Sequence, residues 1–321
     1  MSPDVLASIV RKTYFSRFSE LELDYKLHFA SRLYTWGGDA EAAQKLAELR
    51  PVVLPATHAA RLANLQGMAA ELGHKNFVRD INNYATRKPY FEKYPQLLLL
   101  HNMLFRIRRW ECIYGVDERA SLFQIIPEQE IRALLRALAR DAEAITILST
   151  YAVNAFYMYE NLYAQAGDII DLQYLFNLKD HYGTSPKDLQ LLLYLYTHCI
   201  IGETLFYFSP VRRHADVYHA MLVDAEQIIA SQYQFITLDN KCEFLVCARV
   251  CGYTSALAAK IYDEAGHSLN KENFLVDTIN KVINPMKQSL LMSEHCNALF
   301  IMSTSAPRFQ VTPIGSGRRA S

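Results

Sequence analysis

The chain has 321 residues, which exceeds the size at which single hydrophobic cores usually stop growing, so it forms either two domains or one elongated or ring-shaped repeat. Hydrophobic residues make up 51% of it and charged residues 21%, a composition that excludes an intrinsically disordered protein. Lys plus Arg and Asp plus Glu number 33 each, so no global positive field attracts nucleic acid, and we predict no nucleic-acid partner.

The sequence also lacks the patterns of a secreted or membrane-spanning protein. The N-terminus has no basic segment followed by a continuous apolar stretch, and the apolar runs are far shorter than the ~20 residues that cross a bilayer. Six cysteines lie in apolar helical stretches, as free buried thiols do in a reducing compartment. We therefore expect a cytoplasmic protein with no membrane association and no structural disulfides.

Helix start and stop signals alternate with short turns in the first third of the chain. Ser2 is a predicted N-cap with Pro3 at the first helical position, and apolar residues follow at helical spacing. Gly37 and Gly38 close a second helix. Further helices are predicted between Asp39 and Pro51, before Gly73, and from Pro95 to Gly115.

The same helical periodicity continues toward the C-terminus. A long element is predicted from Pro127 past Tyr151, with a break within it as the alternative. Further helices are predicted over 168–181, 186–208, 214–232, 238–252, 255–265, 272–283 and the stretch after Pro285. No segment shows period-two alternation bounded by hairpin turns, so we predict an all-α fold without a sheet.

Strongly apolar helices recur at a nearly constant interval. Their centres are His101, Tyr151, His198, Cys247 and His295. More polar helices lie between them, an alternation typical of α/α repeats whose apolar helices line the inside. We therefore expect residues 1–303 to form a single domain of stacked helical hairpins curled into a toroid, with an open solenoid as the alternative. Residues 304–321 lack apolar periodicity and are predicted to be a flexible tail.

Two of the apolar helices carry a recognisable pattern. The first contains Tyr194, Thr197 and His198, and the second contains Asp239 and Glu243 some forty residues later. The pattern resembles a mainly actinobacterial family of helical proteins of unassigned function, with a Tyr-x-x-Thr-His helix and a later Asp-Leu-x-x-Glu-Leu helix.

The chain departs from that family at two points. Asn240 stands where the family has Leu after the aspartate, and Phe208-Ser-Pro210 stands where the family commonly has Asp-Phe-Gly. The match covers about a fifth of the chain. Since the family has no assigned activity, the resemblance implies positions for site residues and no mechanism.

The spacing of the two carboxylates has a physical consequence. Asp239 and Glu243 are four residues apart, so on a helix they project from one face and can be presented to a facing His198. A histidine with two carboxylates is a minimal acid–base set or a site for a hard metal ion. The alternative is structural: Asp239 caps a helix beginning at Asn240, and His198 is a buried histidine bonded to a carboxylate.

A second cluster is based on sulfur. Its members are Cys242, Cys247, Cys251, His295 and Cys296. The cluster is similar to the zinc site of the lanthionine cyclases, whose α/α toroid holds the metal through two cysteines and a histidine. Those enzymes have Cys-His-Gly, whereas this chain has the order His-Cys, and adjacent helical residues point about 100° apart. Buried inert thiols are the alternative, so we make no prediction of a metal or a cofactor.

Aromatic side chains are concentrated in two segments, residues 151–163 and 194–208. In the first segment, Asn154, Tyr157 and Glu160 lie on one predicted helix and suggest a ligand pocket that is mostly apolar with a few polar groups. Tyr194 and Thr197, in the second segment, are predicted to line the same pocket. Packing of rings between stacked helices is the alternative.

The familiar catalytic motifs are missing from the sequence. It contains no phosphate-binding glycine loop, no dinucleotide-binding glycine motif, no His-Glu-x-x-His and no Gly-x-Ser-x-Gly. We therefore predict a helical repeat protein that binds a protein or peptide partner. The alternative is an enzyme or small-ligand binder with a central cavity, in which His198, Asp239 and Glu243 form the acid–base or metal site.

Overall fold

The computed structural model describes residues 1–72, 84–164, 167–277, 289–309 and 311–314. Across these ranges it has sixteen α-helices. They are α1 Pro3–Ser16, α2 Leu23–Gly37, α3 Ala40–Val53, α4 His58–Leu72, α5 Tyr84–Lys93, α6 Leu97–Arg108, α7 Arg119–Phe123, α8 Glu128–Leu138, α9 Ala142–Leu148, α10 Thr150–Tyr163, α11 Leu172–Asn177, α12 Pro186–Glu203, α13 Ala215–Ser231, α14 Leu238–Val250, α15 Ala258–His267 and α16 Glu294–Ser303. Short 3₁₀ segments cover Phe18–Glu20 and Leu178–His181, and a π-helical turn covers Arg109–Ile113.

The all-α prediction is confirmed for these ranges. They contain no strand, and their β pairing is an isolated antiparallel bridge between Leu269 and Leu275. No helix within the same ranges combines the length and the apolar character that crossing a bilayer requires.

The contacts divide the chain into two compact units. Unit 1 comprises residues 1–47 and 184–311, and unit 2 comprises residues 48–183 and 312–321. The predicted toroid and the predicted single domain over 1–303 stay predictions. In the segment predicted as a tail, Arg308 donates its backbone N–H to the carbonyl of Trp36 at 2.8 Å, and Ser305 accepts from the Trp36 indole at 3.1 Å. Residues 310 and 315–321 lie outside the described ranges.

Unit 1 is organised around α14 and α16. These two helices pack against each other, α16 also contacts α1 and α2, and α12 packs against α13 and α14. Both central helices are apolar on more than one face, with Phe244 and Phe300 fully buried. The Tyr14 ring of α1 stacks on Phe29 of α2 with ring centroids 4.8 Å apart, which ties the N-terminal helices into the same core.

The predicted helix-start signals operate in unit 1. Ser2 accepts from the backbone N–H of Val5, and Pro3 occupies the first turn of α1. The same arrangement recurs at α12, where Ser185 accepts from Asp188 N–H at 3.2 Å. Gly38 adopts φ 66° and ends α2, a conformation that glycine adopts without steric cost.

Unit 2 packs α6 against α10 and α4, and α5 against α9. Its largest fully buried side chain is Trp110, whose indole N–H donates to the carbonyl of Val53 at 2.8 Å. The buried carboxylate of Glu118 accepts from Arg61 at 2.5 Å and lies 2.9 Å from the ring nitrogen of His58. These contacts attach α4 to the start of α7.

The predicted helix over 272–283 is wrong in its described part. Residues 272–277 form turns, because the Asn270 side chain accepts from the backbone N–H groups of Glu272 and Phe274 at 2.9 and 3.1 Å. The buried amide of Asn297 then donates to and accepts from the backbone of Leu275, with distances of 2.9 and 2.8 Å. These side-chain bonds satisfy the backbone groups that a helix would have paired.

Candidate functional site

Four helices of unit 1 bring seven titratable side chains and one hydroxyl side chain together. They are α2, α12, α14 and α16, and α16 contacts both α2 and α14. The side chains are His28, Arg32, Thr197, His198, Asp239, Glu243, Glu294 and His295. We call this set the His–carboxylate cluster.

The two predicted carboxylates share one face of α14, as their spacing predicts. The structural alternative for Asp239 is wrong in one respect: α14 begins at Leu238, and its N-cap is Thr237, whose hydroxyl accepts from the backbone N–H of Asn240 at 3.3 Å. The Asp239 side chain therefore does not cap the helix. It lies on the same side of the helix as Glu243 and faces α16.

Glu243 is one of the two most deeply buried carboxylates of the cluster. Its side chain is 1% exposed, and Oε1 accepts a short hydrogen bond from the hydroxyl of Thr197. The Nε2 atom of His198 lies 3.9 Å from the same oxygen, which is longer than a hydrogen bond. Thr197 and His198 are neighbours on α12, so both residues of the Thr-His pair face one carboxylate.

His295 connects Glu243 to Asp239. Its Nε2 lies 3.5 Å from Asp239 Oδ1 and 3.6 Å from Glu243 Oε2, so one ring nitrogen is shared between two carboxylates. The His295 side chain is 35% exposed, whereas that of His198 is 12% exposed. Of these two imidazoles, His295 is therefore the one that a molecule from solvent reaches more easily.

A second histidine–carboxylate pair lies beside the first. The Nδ1 atom of His28 is 2.7 Å from Glu294 Oε2, and Glu294 is 1% exposed. The His28 and His295 rings have centroids 5.2 Å apart and an interplanar angle of 31°. Glu294 and His295 are consecutive on α16, so this helix joins the two pairs.

The protonation states differ within the cluster. Burial lowers the pKa of His198 to about 4; Glu243 opposes this shift, and Arg32 adds to it. Burial and Arg32 likewise lower the pKa of His28 to about 4, against the opposing effect of Glu294. The imidazole of His198, whose side chain is 12% exposed, is therefore neutral at pH 7.

The two carboxylates of α14 are shifted in opposite directions. Burial would raise the pKa of Glu243, but His198, His295 and the Thr197 hydroxyl outweigh it and bring that pKa to about 2. Burial raises the pKa of Asp239, a shift that His295 opposes. Two carboxyl groups whose environments separate their pKa values are a common feature of acid–base sites.

Three polar atoms of the cluster form no close hydrogen bond with the described residues, and two of them face His295 Nε2 at 3.5 and 3.6 Å. They are Asp239 Oδ1, Glu243 Oε2 and one terminal nitrogen of Arg32, and all three are buried. Arg32 follows His28 by one turn of α2 and so lies on the same helix face. Buried polar atoms are usually paired because leaving one unpaired costs about 1–3 kcal/mol.

The predicted sulfur cluster has a different character. All six cysteines are free thiols. Burial raises the pKa of Cys247 well above its usual range, and contact with Cys242 together with burial does the same for Cys296. Across the described ranges, no group of three His, Cys, Asp or Glu side chains is arranged to hold a metal ion.

The remaining predicted ligand-binding residues are distributed between the two units. Tyr194 lies on α12 in unit 1, and its ring is edge-on to His198 with centroids 6.3 Å apart. Asn154, Tyr157 and Glu160 are buried on α10 in unit 2. The Glu160 carboxylate accepts three backbone N–H groups at 3.1, 2.6 and 2.7 Å; their residues are Gly167, Ile169 and Ile170. It therefore anchors residues 167–170 to α10.

Four cluster members were not predicted as acid–base residues. His295 was assigned to the sulfur cluster, although its place in the regular series of apolar helices with His198 was a usable signal. His28, Arg32 and Glu294 carried no motif, and His28 and its partner Glu294 are 266 positions apart in the sequence.

No protein-family model matches this chain, and no curated protein or solved structure matches it. The resemblance to the actinobacterial helical family and the fold-level likeness to the lanthionine cyclases therefore stay predictions.

Proposed function

We propose that unit 1 is an acid–base enzyme site that acts on a small polar molecule, with His295 as the group that exchanges a proton with the substrate. The observation that carries this proposal is the position of His295 Nε2 between Asp239 and Glu243, at 3.5 and 3.6 Å, on a side chain that is 35% exposed. This is the enzyme alternative from the sequence, with His295 added.

The roles follow from the geometry and the charges. Glu243 is ionised at pH 7 because its pKa is about 2, and Thr197 holds one of its oxygens in place. When His295 accepts a proton, Glu243 and Asp239 face the imidazolium and stabilise it. His198 stays neutral at that pH and lines the other side of Glu243.

The predicted binding of a protein or peptide is not addressed by any contact within the described ranges, so it stays a prediction. The acid–base function is the better supported of the two because it rests on named atoms and distances, whereas the binding function rests on the repeat pattern alone.

Turnover of a defined panel tests the proposal. The protein would be incubated with amino acids, amines, sugars and their phosphate esters, and each compound followed by mass spectrometry. We expect His295→Gln to slow turnover of the converted compound by about 10²- to 10⁴-fold, the usual contribution of a general base. The matched control is His267→Gln, which removes a histidine whose side chain is 77% exposed and which lies on α15.

A compound that the wild type and His267→Gln convert, and that His295→Gln does not, confirms the proposal. If wild type and His295→Gln convert every compound equally, or convert none, the acid–base assignment is wrong.

A further inference from the structure

Unit 2 contains an open cavity of about 460 Å³, which is separate from the His–carboxylate cluster of unit 1. The end of α8 forms one side of this cavity, and the segment that leads into α11 forms the other. The side chains that line it include Arg136, Arg140, Asp168, Ile169, Asp171 and Tyr174. Its volume lies in the range of small-molecule binding sites.

Three arginines follow one another at four-residue intervals along α8 and the turn after it. They are Arg132, Arg136 and Arg140, and this spacing places them on one side of the helix. The guanidinium of Arg132 is paired, since it lies 2.8 Å from Glu128 and 3.3 Å from Asp168. Arg136 and Arg140 are exposed and form no ion pair with a carboxylate of the described residues. Two guanidinium groups without a counter-charge therefore border the cavity.

The carboxylates around the cavity have other partners. Asp168 faces Arg132, and Asp171 caps α11 by accepting the backbone N–H of Tyr174 at 2.9 Å. Asp141, at the start of α9, accepts from the lysine that ends α5 at 2.6 Å. Because each of these carboxylates is already engaged, the two exposed arginines keep their hydrogen-bond donors for a ligand.

The charge and shape of the cavity indicate the kind of ligand. Two like charges one helical turn apart repel each other, and a doubly charged anion bound between them replaces that repulsion with attraction. The planar guanidinium group suits phosphate oxygens, to which it donates two parallel hydrogen bonds. The opposite wall is less polar, because Ile169 is buried and the half-buried Tyr174 contributes an aromatic ring. The cavity is also larger than a bare phosphate ion requires, so it has room for an organic group attached to the phosphate.

We infer that this cavity of unit 2 binds a small phosphate monoester, whose phosphate is held by Arg136 and Arg140 and whose organic group lies against Tyr174 and Ile169. A monocarboxylate would neutralise only one of the two guanidinium groups, whereas a phosphate monoester carries close to two negative charges at pH 7. The inference goes beyond the proposed function, because the site lies in the other unit and its ligand need not be converted.

Calorimetric titration of the full chain tests this. The monoester probes are glucose 6-phosphate and AMP, and the comparison probes are glucose, adenosine and inorganic phosphate. We expect at least one monoester to bind about tenfold or more tightly than its unphosphorylated counterpart, which corresponds to one well-formed charged contact. The same monoester should bind about tenfold or more tightly than inorganic phosphate, because its organic group also contacts the cavity wall.

Substitutions locate the bound phosphate. Arg136→Gln and Arg140→Gln should each weaken binding of the monoester by about tenfold or more. The matched control, Arg50→Gln, removes an exposed arginine of α3 in the same unit, so it changes the net charge equally and should leave the affinity unchanged. A thermal unfolding midpoint measured for each variant identifies any that fails to fold, and the other cavity variant then decides the result.

The variant His295→Gln separates this site from the one proposed in unit 1. Monoester binding that His295→Gln retains and that Arg136→Gln and Arg140→Gln weaken confirms the inference, whether or not any compound is turned over. The inference is overturned if neither monoester binds, if inorganic phosphate binds as tightly as both of them, or if the two cavity variants bind as the wild type does. Binding that only His295→Gln abolishes would place the ligand in unit 1 and would likewise overturn it.

Discussion

Acidification should destabilise unit 1 through the buried imidazole of His198. Burial holds the pKa of this group at about 4 in the folded protein, against about 6.5 in an unfolded chain. Because the folded pKa is lowered, the unfolded chain binds the proton first. The stability contributed by the neutral imidazole is complete above about pH 6.5 and is lost as the pH falls toward 4. These two pKa values give a loss of about 2 kcal/mol between pH 7 and pH 5.

The assay is urea unfolding of wild type and His198→Gln at both pH values. Fluorescence of Trp36, which is buried in unit 1, reports this unit if Trp110 of unit 2 is replaced by Phe in every protein compared. We expect the variant to lose about 2 kcal/mol less than the wild type on going from pH 7 to pH 5. His28 titrates in the same direction in both proteins, so its contribution cancels in the comparison.

The control for this experiment is His267→Gln, whose exposed imidazole should leave the pH dependence at the wild-type value. Equal pH dependence in the wild type and His198→Gln would refute the reasoning, since it would mean that His198 is not held neutral by burial.

Three further results are expected. Thr197→Val should lower the free energy of unfolding by about 1–3 kcal/mol in urea titrations, because the buried Glu243 loses its hydroxyl donor. Thr35→Val removes only bonds to two backbone carbonyls and should cost less, and an equal cost would count against a special role for Thr197. Glu160→Gln should destabilise unit 2 by about 1–3 kcal/mol, because the amide group replaces one of the two carboxylate oxygens that accept backbone N–H groups. Urea unfolding followed by Trp110 fluorescence measures this, and an unchanged unfolding midpoint would contradict it. Cys251 should react with a disulfide reagent at pH 8 at least about tenfold more slowly in the native protein than in urea, since burial raises its pKa to about 12, and rapid native labelling would show that the thiol is accessible.

The fold class could be predicted because it depends on local signals. Proline at the first turn of α1 and of α12, glycine after α2 and helical apolar spacing mark the helices without reference to distant residues. The position of the break at Ser149 could not be predicted, because it carries neither proline nor glycine. Its φ of 43° separates α9 from α10 within the long element expected after Pro127, for which the sequence left a break open as the alternative.

The candidate site was only partly predictable for a related reason. Asp239 and Glu243 share a face because they are four residues apart on one helix, which the sequence states directly. The position of His295 between them depends on how α16 packs against α14, and the pairing of His28 with Glu294 depends on how α16 packs against α2. No local pattern specifies those two packings.

The order in which the chain is synthesised gives the pairing of His28 with Glu294 a further consequence. These residues are 266 positions apart, so at a translation rate of about 5–20 residues per second the first waits roughly 10–50 s for the second to be made. During that interval the apolar faces of α1 and α2, including Tyr14 and Phe29, have no α16 to cover them. The nascent segment that contains α1 and α2 therefore needs protection from aggregation until α16 has been synthesised, and unit 1 completes its core only then.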